Sequence, residues 1–188
     1  MAIQHYTKVF NFQDAKVYPL LTDPPGGTAT YGTGIDVPGV QALEVSGDIE
    51  TKELRGDGGL LDVFSVLKNV KAKLGYAKES LDLFATWLGG AVVDSGTTPN
   101  QKATWDLTGD STVKNWKIEG ACPASGVDLV GGDLHVTFWK SVLASFPGSG
   151  FAQEDYQLQS VDFATTPLLA TGKKWMTVVL QETASVIT

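Results

Sequence analysis

The chain has 188 residues, 43% of them apolar and 19% charged, with a net charge of -7. That length suits one domain, or one domain with extended arms, and the apolar content excludes a disordered chain. Arg55 is the only arginine, and arginine is the preferred group for bidentate contacts to guanine edges and phosphates, so composition argues against a sequence-reading DNA-binding protein.

Cys122 is the sole cysteine, which rules out an intrachain disulfide. No stretch approaches the roughly 20 apolar residues of a membrane span. Met1 to Phe12 holds Gln4, His5, Tyr6 and Lys8 in place of the apolar run of a signal peptide. The expectation is a chain that acts where it is made, or that leaves as part of a particle. Abundant glycine, with frequent Val, Thr and aromatic residues, favours strands joined by turns.

In chain order, Gln13 to Asp23 reads as a short edge strand, because Pro19 removes a ladder donor. Pro24, Pro25, Gly26, Gly27 and Thr28 open a flexible loop that runs through Tyr31 to Gly34. Leu43, Val45, Ile49 and Thr51 then alternate with Glu44, Ser46, Asp48, Glu50 and Lys52, a strand with one wet face. Gly47 interrupts the pattern and marks an expected bulge. Gly56, Asp57, Gly58 and Gly59 form a turn. Val66, Val70, Ala72, Leu74 and Tyr76 alternate with Asn69, Lys71 and Lys73, and Lys68 breaks that register, so the second strand is expected to begin near it.

One helix is predicted over residues 80–90. Ser80 supplies the N-cap, Asp82 complements the dipole, and Leu81, Phe84, Ala85 and Leu88 fall on one face. Gly89 and Gly90 supply the C-terminal stop. After a loop from Asp94 to Asn100, strands are predicted at Lys102 to Leu107, from Trp116 to Gly120, and at Leu134 to Leu143. The last of these is partly apolar on both faces, as a central strand or a subunit contact would be. A final pair spans Tyr156 to Thr166 and Lys173 to Glu182. The fold class that results is mainly β: a β-sandwich or half-barrel of seven to nine strands with one flanking helix, in a single domain over 1–188.

Little in this pattern carries chemistry. Cys122 and His135 are the only thiol–imidazole candidates, they lie in different strands, and a buried structural cysteine is the better reading. Two histidines and one cysteine do not make a zinc site. Glu44, Asp48, Glu50, Glu53 and Asp57 crowd one hairpin, where a solvated strand face is favoured over a glycosidase pair. Arg55-Gly56-Asp57 spells an adhesion tripeptide, a motif short enough to arise by chance. The glycines around Asp57 lack the following Lys-Ser or Lys-Thr and the helix of a phosphate loop. Tryptophans 105, 116, 139 and 175 lie in strand patterns, which favours packing over sugar stacking. No catalytic residue, metal or cofactor is expected.

The order of features carries a resemblance. Val37 to Leu61, with its strand, polar strand and small-residue turn, is similar to the front of siphophage tail tube proteins. Lys68 to Lys78 and the Ser80–Gly90 helix follow in the family's order. Trp116-Lys-Ile-Glu-Gly-Ala-Cys122 and Gly132-Asp-Leu-His-Val-Thr-Phe-Trp-Lys140 resemble its later strands. Tyr156 to Thr166 and Thr171-Gly-Lys-Lys-Trp-Met-Thr-Val-Val179 resemble its C-terminal hairpin.

The resemblance implies a structural virion protein of a long-tailed bacteriophage, made in the host cytoplasm and carried in the tail. It implies hexameric rings whose strands join a continuous inner barrel, stacked into the conduit for genome ejection. Its implied partners are further copies of itself, the tape measure protein, and the tail terminator and distal tail proteins. DNA would pass the lumen without specific binding, and no membrane is involved. On this basis Glu44, Ser46, Asp48, Glu50, Lys52, Asn69, Lys71 and Lys73 are expected to face the lumen, as a mixed but not strongly positive wall. Pro24, Pro25, Gly26, Gly27, Thr28 and Tyr31, in the loop 24–34, are expected at the ring-to-ring contact, with residues 1–12 as a second arm. The alternatives are the inner tube of a contractile tail or type VI secretion system, with the same fold, and a carbohydrate-binding β-sandwich module.

Overall fold

A computed structural model describes residues 5–125, 131–148 and 158–187. Tyr156 and Gln157 of the expected C-terminal strand and Met1 to Gln4 of the expected arm lie outside them. Within them the chain forms β1 (Lys8–Val9), β2 (Asp14–Thr22), β3 (Thr30–Tyr31), β4 (Ile35–Asp36), β5 (Val40–Gly56) and β6 (Gly59–Tyr76). Helix α1 (Leu81–Leu88) follows, then β7 (Val92–Ser95), β8 (Lys102–Trp105), β9 (Trp116–Ser125), β10 (Asp133–Leu143), β11 (Gln159–Thr165) and β12 (Met176–Gln181). The protein is therefore mainly β with one short helix. The strands not expected are β1, β3 and β4, each two residues long and too short for alternation to announce them, and the four-residue β7.

The main sheet runs β3-β2-β9-β10-β11-β6-β5, all antiparallel, with β1 on β9, β4 on β2 and β12 on β10. β10 is central, one of the two placements its partly apolar faces allowed. One edge pairs with β9, and the register shifts between Phe138 and Ser141. The other edge is shared: Asp133–Phe138 pairs with β12 and Ser141–Leu143 pairs with β11. The sheet thus divides at Trp139–Lys140 into two leaves. Trp116 of β9 packs edge-on against Phe163 of β11 at 5.3 Å, and Phe163 meets Phe138 at the same distance. Leu74, Val17 and Ile118 complete a fully buried centre between the leaves.

Two expectations are corrected here. β11 and β12 do not form a hairpin with each other; the shared edge of β10 separates them. β2 is not an edge strand, since β4 and β3 line its outer side. Pro19 is tolerated there because its carbonyl, and so its missing N–H, points into the gap between those two short strands. That carbonyl accepts from the Gly32 N–H at 2.8 Å.

The helix forms where expected, but Leu81 and Ala85 of its expected apolar face are only half-buried. The Ser80 hydroxyl accepts the Leu83 N–H at 3.5 Å, and Gly89 ends the helix at φ 85° with its N–H on the Ala85 carbonyl. A Cβ at Gly89 would lie 2.9 Å from the Thr112 carbonyl oxygen, so both backbone angle and space demand glycine. Leu83, Phe84, Trp87 and Leu88 are buried, and Trp87 joins Tyr76 and Trp116 in the core. β7 and β8 form a separate small hairpin beside the helix, and Trp105 stacks on Phe84 at 5.3 Å. β7 falls partly in the expected Asp94–Asn100 loop.

Candidate assembly surface

The longest elements are β5 and β6, of 17 and 18 residues, several times the usual five or six. They pair with each other from Val40–Tyr76 to Gly56–Gly59. β11 covers the far edge of β6 only from Tyr76 back to Val70. Gly59–Asn69 therefore pairs with β5 alone, and this part of the hairpin projects roughly 30 Å at ~3.3 Å per residue. Among the described residues, the outer edge of β5 has no strand partner along its whole length.

The register assigns each side chain to a face. Glu44 stands opposite Lys73, Ser46 opposite Lys71, and Asp48 opposite Asn69. Lys68 is then an extra residue on β6, and the ladder resumes with Ile49 opposite Leu67 and Glu50 opposite Val66. Glu44, Ser46, Asp48, Glu50, Lys52, Asn69, Lys71 and Lys73 thus share one face, the face turned away from the core. Ion pairs lace it together. Lys71 meets Asp48 at 2.6 Å, Glu50 pairs with Lys68, and Lys52 lies 3.5 Å from Glu50. Hydrogen bonds from Lys71 and Asn69 hold the Asp48 carboxyl below its usual range, and Lys68 does the same for Glu50.

The bulge at Lys68 overturns two expectations. β6 begins at Gly59, not near Lys68, and Val66 faces away from Val70. The extra residue reverses the parity of everything beyond it. Leu54, Phe64 and Val66 therefore sit on the outer part of the otherwise polar face, while Ile49, Val63 and Leu67 continue the core face outward. Ile49 is 68% exposed, Leu61 69% and Phe64 65%. The projecting hairpin exposes apolar side chains on both sides, and nothing among the described residues covers them. The five carboxylates of this region do not converge: Glu53 is on the opposite face from Glu44, Asp48 and Glu50, and it pairs with Arg55 at 2.7 Å.

The loop 24–34 occupies the other end of the molecule. β2, β6 and β10 run in the same direction, because each is antiparallel to the strand between it and the next. The hairpin tip precedes β6, whereas the loop follows β2. The two therefore leave the sheet from opposite ends.

The loop is tied down where a flexible segment was expected. Asp23 accepts the N–H groups of Leu169 and Ala170 at 2.9 Å and the Lys140 ammonium at 2.7 Å. Burial opposes its charge, but these bonds outweigh that and keep its carboxyl below the usual range. The Gly26 N–H donates to the Leu169 carbonyl, and Thr171 donates to the carbonyls of Gly27 and Gly26. Tyr31 belongs to β3 and gives its hydroxyl proton to the Trp139 carbonyl at 2.9 Å. Pro24, Pro25, Gly26 and Thr28 remain exposed. The expected N-terminal arm is likewise part of the sheet at β1, and Phe12 packs over Gly120.

The remaining candidates separate. Cys122 stands opposite Leu134 and His135 opposite Ala121, so thiol and imidazole point to opposite faces. Burial pushes the Cys122 thiol up, and His135 instead bonds Asp133 at 2.9 Å. Of the five tryptophans, none is exposed: Trp87 and Trp116 are fully buried and the other three half-buried. Among the described residues no three His, Cys, Asp or Glu side chains gather as metal ligands, and no helix is long and apolar enough to cross a membrane. No family model matches the chain, and no curated protein matches it.

Proposed function

We propose that the chain is a tail tube subunit of a long-tailed bacteriophage, polymerising as stacked hexameric rings into the conduit for genome ejection. The observation that carries this reading is the projecting hairpin. Among the described residues, two long strand edges of an isolated subunit have no partner, and apolar side chains on both sides of the ribbon stand in water. Such edges invite addition of a strand from another chain, and only closure removes them altogether. Apolar exposure on this scale marks an interaction surface.

The polar face supports the same reading. It carries acidic and basic groups in mutual ion pairs, and no uncompensated basic patch. A wall of that kind gives a passing polyanion little reason to stay, because retention requires cations that release counterions. The opposed hairpin and loop favour contacts that repeat head to tail, which generate a tube when rings stack.

Negative-stain microscopy of the purified chain at high concentration tests the proposal. Filaments with a central channel are the expected result. A species that stays monomeric at every concentration would sink it.

A further inference from the structure

The two opposite ends carry complementary chemistry. At the loop end, Tyr31, Trp139, Leu168, Ala170, Thr28 and Lys174 line an open cavity of about 190 Å³. That exceeds the ~150 Å³ that accommodates a benzene ring in an engineered core. The polar atoms of its two large rings are already spent within the chain: the Tyr31 hydroxyl on the Trp139 carbonyl, and the Trp139 indole N–H on the Thr177 hydroxyl at 2.7 Å. What the cavity offers is ring surface and the Lys174 ammonium, held 5.0 Å over the Trp139 ring. Lys173 stands beside it, exposed, in the turn closed by its own N–H on the Ala170 carbonyl. Lys140 is neutralised by Asp23, and Lys117, 5.1 Å over the Tyr31 ring, by Glu119, so among the described residues Lys173 and Lys174 are the cations beside this cavity without an ion pair.

The hairpin tip presents the converse. Leu54, Leu60, Leu61 and Phe64 are each more than half exposed. Arg55 is neutralised by Glu53, which leaves Asp57 and Asp62 as surplus carboxylates, both exposed. Two tips would repel each other, and a tip cannot reach the cavity of its own chain at the opposite end of the sheet.

We infer that the hairpin tip of one copy seats in the Tyr31–Trp139 cavity of a second copy, with Asp57 and Asp62 against Lys173 and Lys174. A tip leucine or Phe64 fills the cavity, and the clasp at Asp23 holds the socket formed before the partner arrives, which spares the ordering cost of a free loop. The inference rests on the stacked-ring reading and names the surface through which successive copies meet.

Charge reversal tests it. Lys173→Glu with Lys174→Glu, and separately Asp57→Lys with Asp62→Lys, should each raise the critical concentration for filaments roughly tenfold, by opposing like charges at the contact. All four changes together should restore it. The tip residues touch no core, so that variant folds whatever Lys174 contributes to the socket. Reversals that assemble like the parent chain, or a fourfold variant that is not rescued, overturn the socket and leave the tube standing. If the parent chain forms no filaments at all, both ideas fall together.

Discussion

At the scale of single residues, Asp23 does the most for its size. One half-buried carboxylate joins the chain at the end of β2 to the loop that leads into β12. Its acidity is enhanced in the folded state, so its contribution is fully present above the unfolded value near ~3.9 and fades as pH falls through the lower folded value. Urea unfolding of Asp23→Asn should show a deficit at about pH 6 that shrinks as pH falls below ~3.9. A deficit that stays constant over that range would mean the charge is not what matters. Trp116 makes a second test. Its indole N–H is buried with no partner among the described residues, yet its ring touches Trp87 and Phe163. Trp116→Ala should cost ~3–5 kcal/mol and Trp116→Phe roughly 1–2 kcal/mol, since phenylalanine keeps ring contacts and removes an unpaired donor. A Trp116→Phe loss of ~3 kcal/mol or more in thermal denaturation would show that the donor has a partner after all.

At the scale of elements, the β5–β6 hairpin divides into a rooted half and a projecting half. Val70, Ala72, Leu74 and Tyr76 belong to the core, whereas Gly59 to Lys68 are exposed. Replacing Asp48–Asn69 with a two-residue Asn-Gly turn should therefore leave the fold intact, with a melting temperature within a few degrees of the parent, while abolishing filaments. Loss of cooperative unfolding in that variant would contradict the division. The same hairpin shows how far pattern reading reaches. Glu44 to Lys52 alternate apart from Gly47, which pairs in register with Val70 in place of the expected bulge, so their common face is legible. So is the helix, whose cap, dipole and stop residues all agree. Lys68 was visible as a break in register, but a break looks the same whether a strand starts there or bulges there. Only pairing with β5 distinguishes the two, and pairing is not local. The same holds for Asp23, whose partners lie more than a hundred residues away, and for the shared edge of β10, which turned an expected hairpin into two separate strands.

At the scale of the whole molecule, charge and topology set what assembly can do. With 21 acidic residues against 14 cations, a net charge of -7 and one arginine, the chain should retain no duplex DNA at ~150 mM salt, measured by fluorescence anisotropy, because its excess negative charge repels the polyanion. Micromolar binding under those conditions would be incompatible with a passive conduit. The placement of hairpin and loop has a further consequence. With the tip leaving one end of the sheet and the Tyr31–Trp139 cavity at the other, any column of these subunits has an arrow. In a tube built through that contact, one terminus would display plugs and the other empty sockets, so a protein that stops growth at the first would have no grip on the second. Two unlike caps are needed, one basic and concave, the other acidic and protruding.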